Sequence, residues 1–335
     1  MSGYERNISD AFLESLEEGI LEPLLTRVRK DDFLNLEFRG DEIHVYHRGG
    51  VLLKASENGV SQPQNYRMIL NNTYLSEEIE KIEVGSRDDV KEVLGYLPRL
   101  KDAMELHFDT INRYEKVYSQ QMIRMNNYPE IFQSQHNNSD YYIIDFEARL
   151  NGYINKDEAE KEIKLPETEQ SDLIGVRWPA HPTKERWEKN NDNLILTIFE
   201  LKFGNFKNDN SEETSNLKKH FEKVQKMLEF DHFNFNLLCK DAKKIFRQKR
   251  KLGLIDCGHD IGSINKDRVD YAVCLFDYNQ EQAKLKNVIK KLNDQYENMN
   301  TDKISLKIVR SSLMGAALKK YNVMSPEKAM KSISI

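Results

Sequence analysis

Three residues of this 335-residue chain have types and spacing that could do chemistry. Asp172 opens the apolar run DLIGV, and Glu200 and Lys202 close the run LILTIFELK. Residues two apart on a strand point to one face, so Glu200 and Lys202 share theirs. If the two runs pair as an antiparallel hairpin, with the 179 to 193 insertion at its far end, Asp172 becomes the cross-strand neighbour of Glu200. Two carboxylates and one ammonium then converge. That set suits a hard divalent cation: Mg²⁺ takes one or two carboxylates and keeps several waters, while a nearby lysine can orient or help deprotonate an attacking water and offset phosphate charge. Taken alone, Glu-Leu-Lys reads as a surface ion pair worth ~0–1 kcal/mol. Its weight comes from the apolar strand, the matched upstream Asp172, the flanking helices and the basic half of the chain, which agree with one another.

These side chains need a scaffold, and the hydrophobic pattern supplies one. Apolar residues from Ser9 to about Lys30 form one helical stripe, expected to bend or break at Pro23. Two alternating runs (Phe33 to Phe38, Ile43 to Tyr46) flank a turn at Gly40-Asp41, and a third follows Gly49-Gly50, predicting a small antiparallel sheet. Residues 56 to 75 read as irregular, and a long helix is expected from Arg99 to about Met125. Beyond an Asn/Gln/Ser-rich loop, strands are expected at 139–150, 170–179 and 193–204. A helix at 212–229 and a second helical stretch follow, then a strand at 268–278, a helix at 280–296 and a strand at 305–310. This order is that of a mixed α/β domain, read as residues 87–335, carrying an accessory region at residues 1–86.

Composition bounds the alternatives. Three scattered cysteines (Cys239, Cys257, Cys274) without CxxC spacing exclude a disulfide-stapled module and a zinc ribbon. No run approaches the roughly 18 consecutive apolar residues of a membrane span, and the polar, acidic start is unlike a signal peptide, so a cytoplasmic protein with no membrane partner is expected. The net charge of −5 hides an asymmetry: residues 1–200 hold 24 Lys+Arg against 38 Asp+Glu, and residues 201–335 hold 26 against 17. A basic half can mark a polyanion-binding surface, although Lys-rich helix faces are also plain solvated surface.

The Asp172 and Glu200-Leu201-Lys202 pattern resembles the PD-(D/E)xK nuclease superfamily, whose signature is an Asp at the start of one core strand, a variable hairpin, and Asp/Glu-x-Lys at the end of the next. The resemblance spans roughly residues 87–310 in element order and three residues in specific motif. Ser171 stands where the family often has Pro, and the spacing to Glu200 is long. The resemblance implies a restriction-endonuclease-like mixed sheet flanked by helices. It further implies Asp172 and Glu200 binding Mg²⁺ or Mn²⁺, the Leu201 carbonyl as a further ligand, and Lys202 acting on the nucleophilic water. Family members often add an acid from the helix before the first core strand, which singles out Glu105, with Glu147 the alternative, and a polar residue from the helix after the Lys, here Gln225. The expected function is phosphodiester hydrolysis in nucleic acid, DNA before RNA, with a restriction or antiphage-defence role by analogy. A non-catalytic nucleic-acid- or protein-binding module on the same fold is the competing reading. The first 86 residues would then serve a protein partner, a homodimer or target recognition.

Other candidates are weaker. His44 and His47 are three apart on a strand and face opposite sides, which suits exposed or hairpin-lining residues better than a metal site. Cys257-Gly258-His259 lacks a readable catalytic framework, and no Gly-rich phosphate loop is present. The runs LKKHFEKVQK and AKKIFRQKRK would give salt-dependent contacts to phosphates. Trp178, Trp187, Asn208 and Asn210 are unassigned candidates for reading bases.

Overall fold

The computed structural model describes residues 5–57, 65–71, 82–111, 114–128, 139–154, 170–179, 191–203, 212–276, 283–299, 302–311, 318 and 323–333. They divide into two compact units: Met1–Tyr128 with Lys244–Cys257, and Pro129–Lys243 with Gly258–Ile335.

The first unit is built on a five-stranded antiparallel meander, β1 (Leu34–Phe38), β2 (Glu42–His47), β3 (Gly50–Glu57), β4 (Tyr66–Leu70) and β5 (Ile82–Val84). The apolar stripe is broken into helices α1 (Asp10–Glu17) and α2 (Glu22–Lys30), with the break falling just before Pro23. Ser9 caps α1 by accepting from the Phe12 N–H, and Pro23 sits in the first turn of α2, where its missing N–H costs nothing. Strand β4 lies within the stretch read as irregular; Tyr66, Met68 and Leu70 alternate inward there, but the turn residues around them mask the period. Helices α3 (Arg87–Leu94), α4 (Leu97–Ile111) and α5 (Tyr114–Asn127) belong to this unit too. Compactness therefore divides the chain near 128 rather than at 86: Gly49 lies so close to the Lys116 backbone that a Cβ would stand 2.7 Å from it, and the Gly49 N–H donates to Gln120 Oε1 at 2.7 Å. Gly49 also has a φ of +76°, which an L side chain rarely adopts.

The second unit carries a six-stranded mixed sheet in the order β11-β10-β9-β8-β7-β6. Strands β6 (Tyr141–Arg149), β7 (Gln170–Arg177) and β8 (Leu194–Phe203) run antiparallel. Strands β9 (Ile264–Phe276) and β10 (Ile304–Ser311) add parallel to β8, and the short β11 (Val323–Met324) closes the edge antiparallel. The parallel joins follow from helical crossovers: α6 (Glu212–Leu228) and α7 (Phe235–Lys251) connect β8 to β9, and α8 (Ala283–Glu297) connects β9 to β10. A last helix, α9 (Pro326–Ile333), packs on α8. Central strand β8 is buried without a break from Leu194 to Leu201, as expected of a strand covered on both faces. The fold is thus mixed α/β with two sheets.

The division between the units runs through α7, of which Lys244–Lys251 belongs to the first. This part of the basic run is paired with acidic residues of the first unit. Lys249 Nζ donates to Glu37 Oε1 at 2.8 Å with both side chains buried, Lys251 Nζ lies 2.7 Å from Glu17, and Lys244 Nζ lies 4.0 Å from Glu5. The charge asymmetry between the halves of the sequence is therefore partly neutralised within the protein, and the run is not one open cationic face.

Candidate metal centre

Strand pairing decides how the candidate residues meet. The β7–β8 register sets Leu173 against Phe199 and Ile174 against Ile198; continued by one residue, it places Asp172 opposite Glu200. Gly175 allows this close pairing: a Cβ there would stand 2.7 Å from the Tyr142 carbonyl oxygen and 2.9 Å from the Phe199 ring. Asp172 Oδ2 accepts the Leu201 N–H at 2.6 Å, which ties the head of β7 to the end of β8. Lys202 Nζ lies 2.9 Å from Glu200 Oε1, with the two side chains 15% and 6% exposed. A buried ion pair is a weak source of stability, because desolvation offsets most of its attraction and well-packed apolar residues would serve as well.

The neighbours of this pair differ from those expected. From α6 it is His220, with Nδ1 3.5 Å from Glu200 Oε1, that approaches the carboxylate. Gln225 lies five residues on, about 140° around the helix at 3.6 residues per turn. Its amide donates to Glu229 at 3.2 Å instead. Glu105 is engaged within the first unit, 3.0 Å from His47 Nε2 and 3.4 Å from Arg48 Nε. Glu147 fits the strand geometry better. The pairs Phe146 with Leu173 and Ala148 with Ser171 enclose Glu147 and Asp172, so positions 147, 172 and 200 form one row across β6, β7 and β8. Glu147 has a φ of +50°, a conformation rare for a non-glycine residue and often associated with functional sites. The periodicity that identified three strands contained this row; what it lacked was the β6–β7 register.

The donor set fits a hard cation. Asp172, Glu200 and the Leu201 carbonyl offer oxygens only, as Mg²⁺ and Mn²⁺ prefer. Among the described residues no three His, Cys, Asp or Glu side chains gather into a metal-holding group, so this centre would rely on two carboxylates and water.

Several of the remaining candidates are structural. His47 is fully buried rather than exposed, held between Glu105 and the Phe33 carbonyl, and burial lowers its pKa. Trp178 is buried edge-on to Tyr142, 6.0 Å between ring centres, and does not face bases. Trp187, Asn208, Asn210 and positions 180–190 of the insertion lie outside the described residues. All three cysteines are free; burial pushes the Cys239 thiol up to about 12 and Cys274 well above its ordinary value, which makes both poor nucleophiles. Among the described residues no helix is long and apolar enough to cross a membrane. No family model, no curated protein and no solved structure matches the chain.

Proposed function

We propose that this chain is a metal-dependent nuclease of the PD-(D/E)xK type that hydrolyses phosphodiester bonds, in DNA before RNA. The observation that carries the reading is the β7–β8 register, which sets Asp172 opposite Glu200 while Lys202 lies 2.9 Å from Glu200. Three antiparallel strands, a helical crossover and two further parallel strands support the restriction-endonuclease-like fold. Asp172 and Glu200, with the Leu201 carbonyl, would hold Mg²⁺ or Mn²⁺. The bound ion would supply Lewis acidity and a water of lowered pKa. Lys202 fixes one oxygen of Glu200 and brings a positive charge to the place where a phosphate would arrive. The Asp172 bond to the Leu201 amide holds the two strand ends in register. A cytoplasmic location, a restriction or antiphage role, and a homodimer or protein partner served by the N-terminal region belong to the same proposal.

The test is cleavage of plasmid, linear and single-stranded DNA and of RNA in Mg²⁺ or Mn²⁺ by wild type, Asp172→Ala and Lys202→Ala. Metal-dependent cleavage abolished in both variants is expected. Cleavage that persists unchanged in both would remove the assigned site, and metal-independent binding without cleavage would favour a non-catalytic module.

A further inference from the structure

The opposite face of the second sheet carries a polar row through an otherwise apolar core. The register pairs Thr197 with Asp270 and Asp270 with Ser305, so the three stand side by side across β8, β9 and β10. Position 197 is three residues from Glu200, which by strand alternation turns this row away from the Glu200 face. Thr197 and Asp270 are fully buried, and Ser305 is nearly so. Cations collect around them. Arg177 Nη1 lies 2.8 Å from Asp270 Oδ2, and Arg268 Nε lies 4.0 Å from Asp270 Oδ1. Lys307 Nζ donates to Ser305 Oγ at 2.7 Å, and Arg268 Nη2 reaches the same hydroxyl at 3.5 Å. Arg177 and Arg268 retain 29% and 47% exposure, so the cluster opens to solvent on its cationic side.

The charges do not balance here. One carboxylate faces three cations. Burial raises the Asp270 pKa toward the neutral form against the pull of Arg177, Lys307 and Arg268, and burial lowers the pKa of Lys307. Asp270 is held by the ionic contact to Arg177, while Thr197 Oγ1, which could donate to an incoming anion, has no hydrogen-bond partner among the described residues. A buried carboxylate is ordinarily kept where a cation pairs with it, and here the cations outnumber it. An oxyanion beside the two guanidinium groups and the ammonium would cancel the surplus, and Arg forks match phosphate oxygens well.

We propose that Arg177, Arg268, Lys307 and Ser305 form a binding site for a phosphate-type oxyanion, with Asp270 as the buried anchor that holds the guanidinium groups in place. It is separate from the Asp172, Glu200 and Lys202 centre and does not depend on that centre's chemistry. The sequence signal is Arg268-Val269-Asp270, two charges inside the strand that continues YAVCLF.

The test uses the full chain in EDTA, where metal chemistry is silent, so its outcome is independent of nuclease activity. Melting is followed against inorganic phosphate at fixed ionic strength set with chloride, and anisotropy of a labelled duplex is followed against salt. Phosphate should raise the wild-type melting temperature, and Arg268→Gln and Lys307→Gln should each lose that rise. If the phosphate belongs to a polynucleotide, each variant should also lower the slope of log affinity against log salt by about 0.9. If it is free phosphate or a nucleotide, the melting effect is lost while the slope is unchanged. Arg177→Gln strips Asp270 of its nearest partner, so the half-exposed Arg268 carries the test, and Arg177→Gln with Asp270→Asn serves as the charge-balanced control. No phosphate-specific stabilisation together with unchanged slopes would overturn the site.

Discussion

Replacing Lys249 by Met should cost the first unit about 3 kcal/mol rather than weaken nucleic-acid binding. Lys249 lies in the run AKKIFRQKRK, whose composition suggests a phosphate-binding face, yet its side chain is 2% exposed and bonded at 2.8 Å to Glu37, itself 1% exposed. Breaking a buried pair by removing one partner typically costs about 3–5 kcal/mol, because the other charge is left uncompensated. Here the lower end applies: Glu37 keeps the Asn35 amide at 2.7 Å and the Arg39 guanidinium at 3.9 Å. For a unit of this size, each kcal/mol moves the midpoint by roughly 3–4 °C, so a fall on the order of 10 °C is expected. Differential scanning calorimetry resolves the units if they melt separately. Adding Glu37→Leu should recover most of the loss, because a well-packed apolar pair replaces a buried ion pair at little cost. At temperatures where Lys249→Met is folded, its affinity for duplex DNA should equal that of wild type. A midpoint within 1–2 °C of wild type (about 0.5 kcal/mol), or a double variant no better than the single one, would refute the reasoning.

Three further outcomes follow from the geometry. His220→Gln should reduce metal-dependent cleavage while Gln225→Ala leaves it unchanged, since only His220 approaches Glu200; equal effects in a kinetic comparison would contradict the placement. Gly175→Ala should destabilise by about 1–3 kcal/mol and reduce cleavage, because a Cβ meets Tyr142 and Phe199 inside the pairing that aligns Asp172 with Glu200; urea denaturation with m unchanged would read it. Burial lowers the His44 pKa from 6.5 to about 4, opposed by its bond to Glu42, so neutral His44 is the folded form. Its contribution, on the order of 3 kcal/mol, is present above pH 6.5 and is lost as pH falls through about 4. His44→Gln should therefore flatten the decline of the urea midpoint between pH 7 and 4, and an unchanged decline would count against it.

What the residues revealed in advance was local. The three strands around Asp172 and Glu200 were legible because apolar runs of the right length are bounded by turn signals, and Gly40 and Gly49 mark two hairpin turns with positive φ. What stayed hidden depends on partners distant in sequence. Periodicity says that Lys249 sits on a helix face, not that Glu37, 212 residues away, receives it. It placed Glu105 on the helix before the first core strand, but not beside His47, 58 residues back. The α6 residue next to Glu200 could have been found: His220 lies on the stripe of Leu217 and Val224, whereas Gln225 does not. Asp270 shares β9 with Asp267, and its cations come from three different strands that only the sheet brings together.

Crystals of the protein soaked in Mn²⁺ and measured at the manganese absorption edge test the metal centre most directly. The proposed function predicts an anomalous peak between the Asp172 and Glu200 carboxylates, roughly 2.1–2.2 Å from an oxygen of each, as hard divalent ions bind. A saturating soak that leaves no peak there, or places the ion on other residues, would contradict it.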